Sequence, residues 1–223
     1  IGPETCAVMV EPVQGEGGVN IGGAEYLRGV RAICDRHDLL LIADEVQTGI
    51  GRCGAWLACE AIGVRPDIVT LGKGLGGGFP ISACLARPRL EVFEPGDQGG
   101  TFTYHPLGSA VALAVLGAIE QRGLVAEASR KGDLVHAVLM GLAERHGLRN
   151  CRGMGLLRAF DLPVPDAAGF VCLARGQGLL LNAPKPSTVR LSPPLTIRDE
   201  EIDEFRQRLE ASLATWKEEQ PTA

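Results

Sequence analysis

Residues 39–52 read LLLIADEVQTGIGR. An unbroken aliphatic run ends abruptly at Asp44, which is followed by Glu45 and Gln47 and then by glycines at 49 and 51. A run with no polar alternation predicts a strand covered on both faces, as in a parallel sheet flanked by helices. Similar runs stand on either side of it: CAVMVEPV (6–13) before, DIVTLGK (67–73) and ISACLAR (81–87) after. Between the first two runs lies GAEYLRGVRAICDRHD (23–38), which has the period of an amphipathic helix. Strands separated by helical crossovers predict an α/β fold with a mostly parallel sheet. In such sheets ligands bind beyond the carboxyl ends of the strands, which is where Asp44 stands. The first strand starts within a few residues of the beginning of the sequence, so the chain is expected to be the later part of a larger unit.

Beyond these strands, PLGSAVALAVLGAIEQRG (106–123) predicts a long helix that stops at Gly123. The character then changes. A charged helix over 124–147 leads into short strands around 151–162, 179–183 and 188–192, and a last helix covers 198–219. A boundary near residue 120 therefore separates residues 1–120 from a smaller α+β region, 121–223.

Composition removes several classes of function. Lys and Arg total 22 against 27 Asp and Glu, a formal net charge of −5, with no basic cluster of the kind that holds nucleic acid or an anionic membrane. No apolar stretch approaches the ~20 residues of a membrane span. The opening residues carry no basic segment followed by an apolar one, so no signal peptide is expected. The seven cysteines are scattered and never spaced as C-x-x-C, which predicts reduced, mostly buried thiols in a cytoplasmic protein. Nor do the four histidines form a ligand set, and no metal site is expected.

The stretch TLGKGLGGGFPISA (70–83) sets Lys73 between two glycines. A solvated lysine needs no such clearance, whereas one that meets a bulky ligand does. Confinement disfavours the charged amine and lets it form a Schiff base with an aldehyde. A phosphate-binding loop is the other use of glycines beside a lysine, but it requires them before the lysine and a hydroxyl after it. Here Gly74 follows Lys73 and most of the glycines lie downstream. Asp44 is either a solvated acid at a strand end or a partly buried one that needs a cationic partner. Read alone, EPVQGEGG (11–18), with Glu11 and Glu16, is a tight turn with solvated acids, and VRLSPPL (189–195) holds a surface arginine, Arg190.

Taken together and in this order, VEPVQGEGGVN, LLIADEVQTGIGR, RPDIVTLGKGLGGGFP, GGTFTYHPLGSAVALAVL and VRLSPPL resemble the C-terminal half of a class III pyridoxal-phosphate aminotransferase. The stretch GLLLNAPKPSTVRLSPPLTI (178–197) is most similar to the acetylornithine branch. The resemblance implies a fold-type I pyridoxal-phosphate transferase, with 1–120 belonging to the large cofactor-binding domain and 121–223 forming the small domain. It implies that Lys73 holds pyridoxal 5'-phosphate covalently and then carries the proton. Asp44 pairs with the pyridinium nitrogen, Val46 packs on the ring and Gln47 reaches its phenolic oxygen. Two unit charges ~4 Å apart at an effective dielectric of ~20 gain about 4 kcal/mol, enough to keep the ring protonated. Thr101 donates to the phosphate from a neighbouring subunit, which implies a homodimer. Glu16 and Arg190 resemble a switch pair, the acid masking the arginine until the α-carboxylate of glutamate or 2-oxoglutarate arrives. The implied reaction moves the ω-amino group of N-acetylornithine to 2-oxoglutarate. Ornithine, succinylornithine and 4-aminobutyrate are alternative donors. Aminomutase, decarboxylase and non-catalytic readings also stand on this scaffold.

Two departures bear on substrate choice: Gly100 where the acetylornithine branch commonly has serine, and TFTYHP (101–106) where it commonly has TYGGNP. The phosphate loop, the stacking aromatic and the carboxylate-binding arginine of the family's preceding half have no counterpart in this sequence. The isolated chain is therefore expected neither to turn over substrate nor to hold the cofactor tightly.

Overall fold

The computed structural model describes residues 1–90 and 92–219. In chain order its elements are β1 (Ala7–Val10), β2 (Val13–Gln14), β3 (Asn20–Ile21), α1 (Gly23–Arg36), β4 (Leu40–Asp44), α2 (Ala58–Ile62), β5 (Ile68–Leu71) and β6 (Ala83–Ala86). Then follow α3 (Pro106–Gln121), α4 (Leu124–His146), β7 (Arg149–Met154), β8 (Leu157–Asp161), α5 (Ala167–Gly176), β9 (Thr188–Leu191) and α6 (Asp199–Glu219). They divide into two compact units. The first is Ile1–Pro12 with Gly22–Val125; the second joins Val13–Ile21 to the chain from Ala126 onward.

The first unit carries a four-stranded sheet in the order β1-β4-β5-β6. β1 and β5 flank β4 in parallel, as expected, with Ala7 opposite Leu40 and Asp44 opposite Thr70. β6 runs antiparallel to β5, with Leu71 opposite Ala83. The reason is the connection. A parallel return needs a crossover of a dozen or more residues, usually a helix, whereas residues 72–82 contain only one 3-10 turn, Lys73–Gly76. α1 covers the sheet through Leu27 and Cys34, both buried. α3 starts with Pro106 at its first turn, and the His105 side chain accepts the Gly108 N–H at 3.2 Å.

Asp67, only 2% exposed, organises this unit. Its N–H donates to the Leu41 carbonyl at 2.8 Å, and its Oδ2 accepts the Leu41 N–H at 2.9 Å. The same carboxylate takes Arg31 of α1 at 2.6 Å, Arg89 at 2.8 Å and Arg87 at 3.4 Å. One buried acid thus sets β5 against β4 and ties down α1 and the chain leaving β6. Burial alone would raise its pKa. The Leu41 N–H and the Arg31 and Arg89 guanidiniums outweigh that, and hold it well below the usual carboxylate range.

In the second unit, β7, β8 and β9 form an antiparallel sheet in that order, with Arg149 opposite Asp161 and Ala159 opposite Arg190. The expected strand around 179–183 is reduced to a single bridge, Asn182 with Arg190. Pro184 and Pro186 follow directly, and neither has an N–H to extend a ladder. Phe160 on β8, Phe170 on α5 and Trp216 on α6 meet edge to face, with centroids 6.4 and 5.8 Å apart, at the centre of a core closed by Leu139 and Leu142 of α4. Each such side chain contributes about 1.5–3 kcal/mol by leaving water.

The seven cysteines are all free. Three are buried and three exposed, so the expectation that most are buried does not hold. Cys6 and Cys84, for example, lie just before β1 and on the edge strand β6, where none of the described residues covers them. Among the described residues no single helix is long and apolar enough to cross a membrane.

Removing the Asp67 charge leaves three arginines around a neutral amide, so Asp67→Asn is expected to cost about 3–5 kcal/mol in denaturant unfolding. The pKa shift also sets a pH dependence. The folded pKa lies below the unfolded value of about 4, so this stabilisation is complete above that pH and is lost as pH falls further. Unfolding midpoints measured between pH 6 and pH 2 should converge for wild type and Asp67→Asn as the pH drops.

Candidate active site

The parallel strands of the first unit deliver two loops from their carboxyl ends. β4 delivers Asp44, half-buried, whose Oδ1 accepts the Val46 N–H at 3.0 Å and the Thr70 hydroxyl at 3.3 Å. Oδ2 has no hydrogen-bond partner among the described residues. The carboxylate is therefore oriented through one oxygen and available through the other. The fully buried acid of this motif is its neighbour, Glu45, 1% exposed. Glu45 accepts the Thr48 hydroxyl and the backbone N–H groups of Ala58 (3.0 Å) and Cys59 (2.7 Å), the first residues of α2. Burial, reinforced by this carboxylate, pushes the Cys59 thiol pKa up. Glu45 thus closes the loop 45–58 onto a helix start. Val46 and Gln47, both half-buried, lie within that closed loop.

β5 delivers Lys73. Its φ of +42° is in the left-handed region, which costs a non-glycine residue on the order of 1–2 kcal/mol. Ile50, a β-branched residue at φ +55°, is strained in the same way and lies next to Gly74 of the lysine turn. The glycines of this segment fall into two groups. A Cβ on Gly76 would stand 2.8 Å from Ile81, and Gly77 combines φ +55° with a 2.9 Å approach to Val115. Those two are required by the fold. A Cβ on Gly72 would reach Val46 at 3.4 Å and one on Gly74 would reach Ile50 at 3.6 Å, both tolerable contacts, and neither residue has positive φ. The fold itself therefore does not demand the glycines that flank Lys73; they leave open space beside Val46 and the lysine.

The enclosure expected around Lys73 is not provided by this unit. The residue is exposed, with no ion-pair or hydrogen-bond partner among the described residues. Thr101 is likewise exposed, in a turn that leads to α3, and Gly100 accepts the Thr103 N–H at 3.1 Å there. A Cβ at position 100 would stand 2.5 Å from the Thr103 hydroxyl, so the turn as built favours glycine there.

The second unit brings together two residues 174 positions apart. Glu16 meets Arg190 at 2.7 Å, the acid largely exposed and the arginine largely buried. Glu16 sits in the turn of the β2–β3 hairpin, and Arg190 on β9 between Ala159 of β8 and the carbonyl of Asn182. Glu11, the other acid of that motif, belongs to the first unit. Among the described residues no group of three or more His, Cys, Asp or Glu side chains could hold a metal ion.

The residues of the first unit suit a flat cationic ring carrying an aldehyde. Asp44 Oδ2 is available to a protonated ring nitrogen, Val46 offers an apolar face, and an unpaired lysine stands next to glycines whose missing side chains leave room.

Comparison with known proteins identifies the family. The family model for aminotransferase class-III matches residues 1–213. Acetylornithine aminotransferase of Caldanaerobacter subterraneus subsp. tengcongensis is 44% identical over 212 residues, which cover 95% of this chain and 54% of that protein. Among solved structures, ornithine delta-aminotransferase of Plasmodium falciparum superposes with a TM-score of 0.90 at 35% identity, covering 98% of this chain and 58% of the other. N-acetylornithine aminotransferase of Stenotrophomonas maltophilia gives a TM-score of 0.87 at 38% identity, covering 96% and 58%. The chain spans about half the length of the curated relatives it matches. With the motifs, the α/β sheet and the matched length all in agreement, the chain belongs to the class-III aminotransferases, a pyridoxal-phosphate-dependent family of the fold-type I architecture.

Proposed function

We propose that this chain supplies the cofactor lysine, the ring-nitrogen partner and the carboxylate switch of an aminotransferase. The reaction we propose moves an ω-amino group, that of N-acetylornithine first, to 2-oxoglutarate. The observation that carries the reading is an oriented but half-engaged Asp44 and a strained, unpaired Lys73 at the carboxyl ends of adjacent parallel strands.

Bound pyridoxal phosphate supplies the aldehyde that takes up the amino group and the ring that accepts the electron pair released at the substrate carbon. The chain's own residues do the rest. Asp44, fixed by the Val46 N–H and the Thr70 hydroxyl, presents a carboxylate that would keep the ring nitrogen protonated. Lys73 Nζ would hold the cofactor through its aldehyde and, when free, would serve as the base that carries a proton. Val46 would pack on the ring and Gln47 would reach its phenolic oxygen. Glu16 neutralises Arg190 while an amine donor without an α-carboxylate at that position is bound, and withdraws when 2-oxoglutarate presents one. Arginine suits this exchange because its planar fork meets a carboxylate with two parallel bonds.

A homodimer belongs to the same reading, with Thr101 serving the partner's phosphate site. The exposed Phe102, Tyr104, Leu107 and Leu113 around the start of α3 support it, since apolar side chains gathered this way mark an association surface. The free cysteines support a reducing compartment such as the cytoplasm. Residues 1–120 are assigned to the large domain and 121–223 to the small one.

The test is a donor screen with 2-oxoglutarate as acceptor. The chain is assayed alone and joined to the N-terminal half of an acetylornithine aminotransferase. The joined protein is expected to prefer N-acetylornithine over ornithine, succinylornithine and 4-aminobutyrate, and the chain alone to be inactive. In the joined protein Asp44→Asn should lower kcat by about three orders of magnitude, the equivalent of ~4 kcal/mol. A variant within threefold of wild type would reduce Asp44 to a strand-end acid.

A further inference from the structure

The Glu16 turn is a poor platform for a precise contact. β2 and β3 contribute two residue pairs, Val13 with Ile21 and Gln14 with Asn20, and a two-stranded ribbon of that size is not stable by itself. Within the turn, Asn20 Nδ2 donates to Gln14 Oε1 at 3.2 Å and to the Gly17 carbonyl at 3.0 Å, both exposed to solvent. The turn also carries strain: Val19 is β-branched, fully buried and at φ +59°. Something outside the hairpin must hold it.

One such holder is Arg152 on β7. Its Nε and Nη2 both donate to the Gly18 carbonyl, at 3.0 and 2.6 Å, across 134 residues of sequence. Its Nη1 donates to the Asn150 carbonyl at 2.8 Å and lies 3.1 Å from Asp161 Oδ1. Asp161 in turn accepts the Thr188 hydroxyl at 2.7 Å and the Asn150 side-chain amide at 2.9 Å. Thr188 lies two residues before Arg190 on the same strand, so both side chains point to one face of the sheet. Both members of the Glu16–Arg190 pair are thereby referred to a single guanidinium–carboxylate unit: the acid through the Gly18 carbonyl, the arginine through Thr188.

We propose that Arg152, seated by Asp161, is a positioning residue that sets how tightly Glu16 masks Arg190, and hence how readily a dicarboxylate gains the arginine. This rests on the reading of Glu16 and Arg190 as a switch. The direction of control is specific. Loss of Arg152 frees the hairpin and unmasks Arg190, whereas loss of the Glu16 charge unmasks Arg190 and leaves the hairpin held.

The 223-residue chain serves for the test, with two readouts that need no turnover. Hydrogen exchange, read by mass spectrometry, follows peptides covering 13–21. Arg152→Gln is expected to speed their exchange tenfold or more while peptides in β8 and β9 keep their protection. Arg152→Lys, which retains a cationic donor, should recover part of it, and Thr188→Val should produce a smaller change in the same direction. Glu16→Gln should leave it unchanged. The second readout is calorimetric binding of glutarate, an unreactive dicarboxylate. Arg152→Gln and Glu16→Gln should each tighten binding several-fold, the double variant should gain nothing over Glu16→Gln alone, and Arg190→Gln should abolish it. Unaltered exchange over 13–21 in Arg152→Gln, or additive gains in the double variant, would overturn the positioning role. Unaltered glutarate affinity in Glu16→Gln would instead overturn the switch reading on which it rests.

Discussion

The buried carboxylate of Asp67 is the constraint on which the first unit depends. A charge this deep is tolerated only when its partners replace the water it has lost, and Asp67 has an N–H and three guanidiniums to do so. The consequence reaches the candidate site through register. Asp67 meets Leu41 through both backbone and side chain, so β5 cannot slide along β4. That register puts Thr70 opposite Asp44, where its hydroxyl orients the carboxylate. Three residues later the same strand has turned into the Lys73 loop. A slip of one residue would turn Thr70 to the other face and move the lysine with it.

Two of the strained residues stand where the chemistry is proposed. Lys73 and Ile50 are both non-glycine residues in the left-handed region, in the two loops that leave β4 and β5. Glu45, by accepting the first two N–H groups of α2, ties the first loop to a helix start. The flanking glycines carry the complementary message, since the fold could accept a methyl group at Gly72 or Gly74 and yet has none. Space left free beside a strained, exposed lysine is what a covalent ring-bearing ligand requires. The second unit repeats the pattern in another form, with strained Val19 held in the turn that carries Glu16.

What the sequence makes legible follows the range of each interaction. The β4 strand, its ending at Asp44, and the helices at 23, 106, 124 and 199 are all local patterns and could be read directly. β6 is a partial case: its strand was visible, but its antiparallel sense depended on the absence of a crossover helix in 72–82. Asp67 stood in plain view in RPDIVT, yet its partners Arg31, Arg87 and Arg89 lie 20 or more positions away on either side. Glu45 looked like a companion of Asp44, and only the position of α2 reveals it as a helix cap. Glu16 and Arg190 became a pair solely through family resemblance, since no spacing rule links residues so far apart. Arg152 gave no signal for its hold on the hairpin, because the group it takes there, the Gly18 carbonyl, carries no residue identity.

The central claim is that Lys73 is the cofactor lysine, and covalent trapping tests it most directly. The 223-residue chain is mixed with a stoichiometric amount of pyridoxal phosphate, reduced with borohydride, digested and mapped by mass spectrometry. The account predicts that the label is recovered on the peptide containing Lys73 and is lost from that position in Lys73→Ala. Recovery of the label chiefly at Lys131, Lys185 or Lys217 would contradict it.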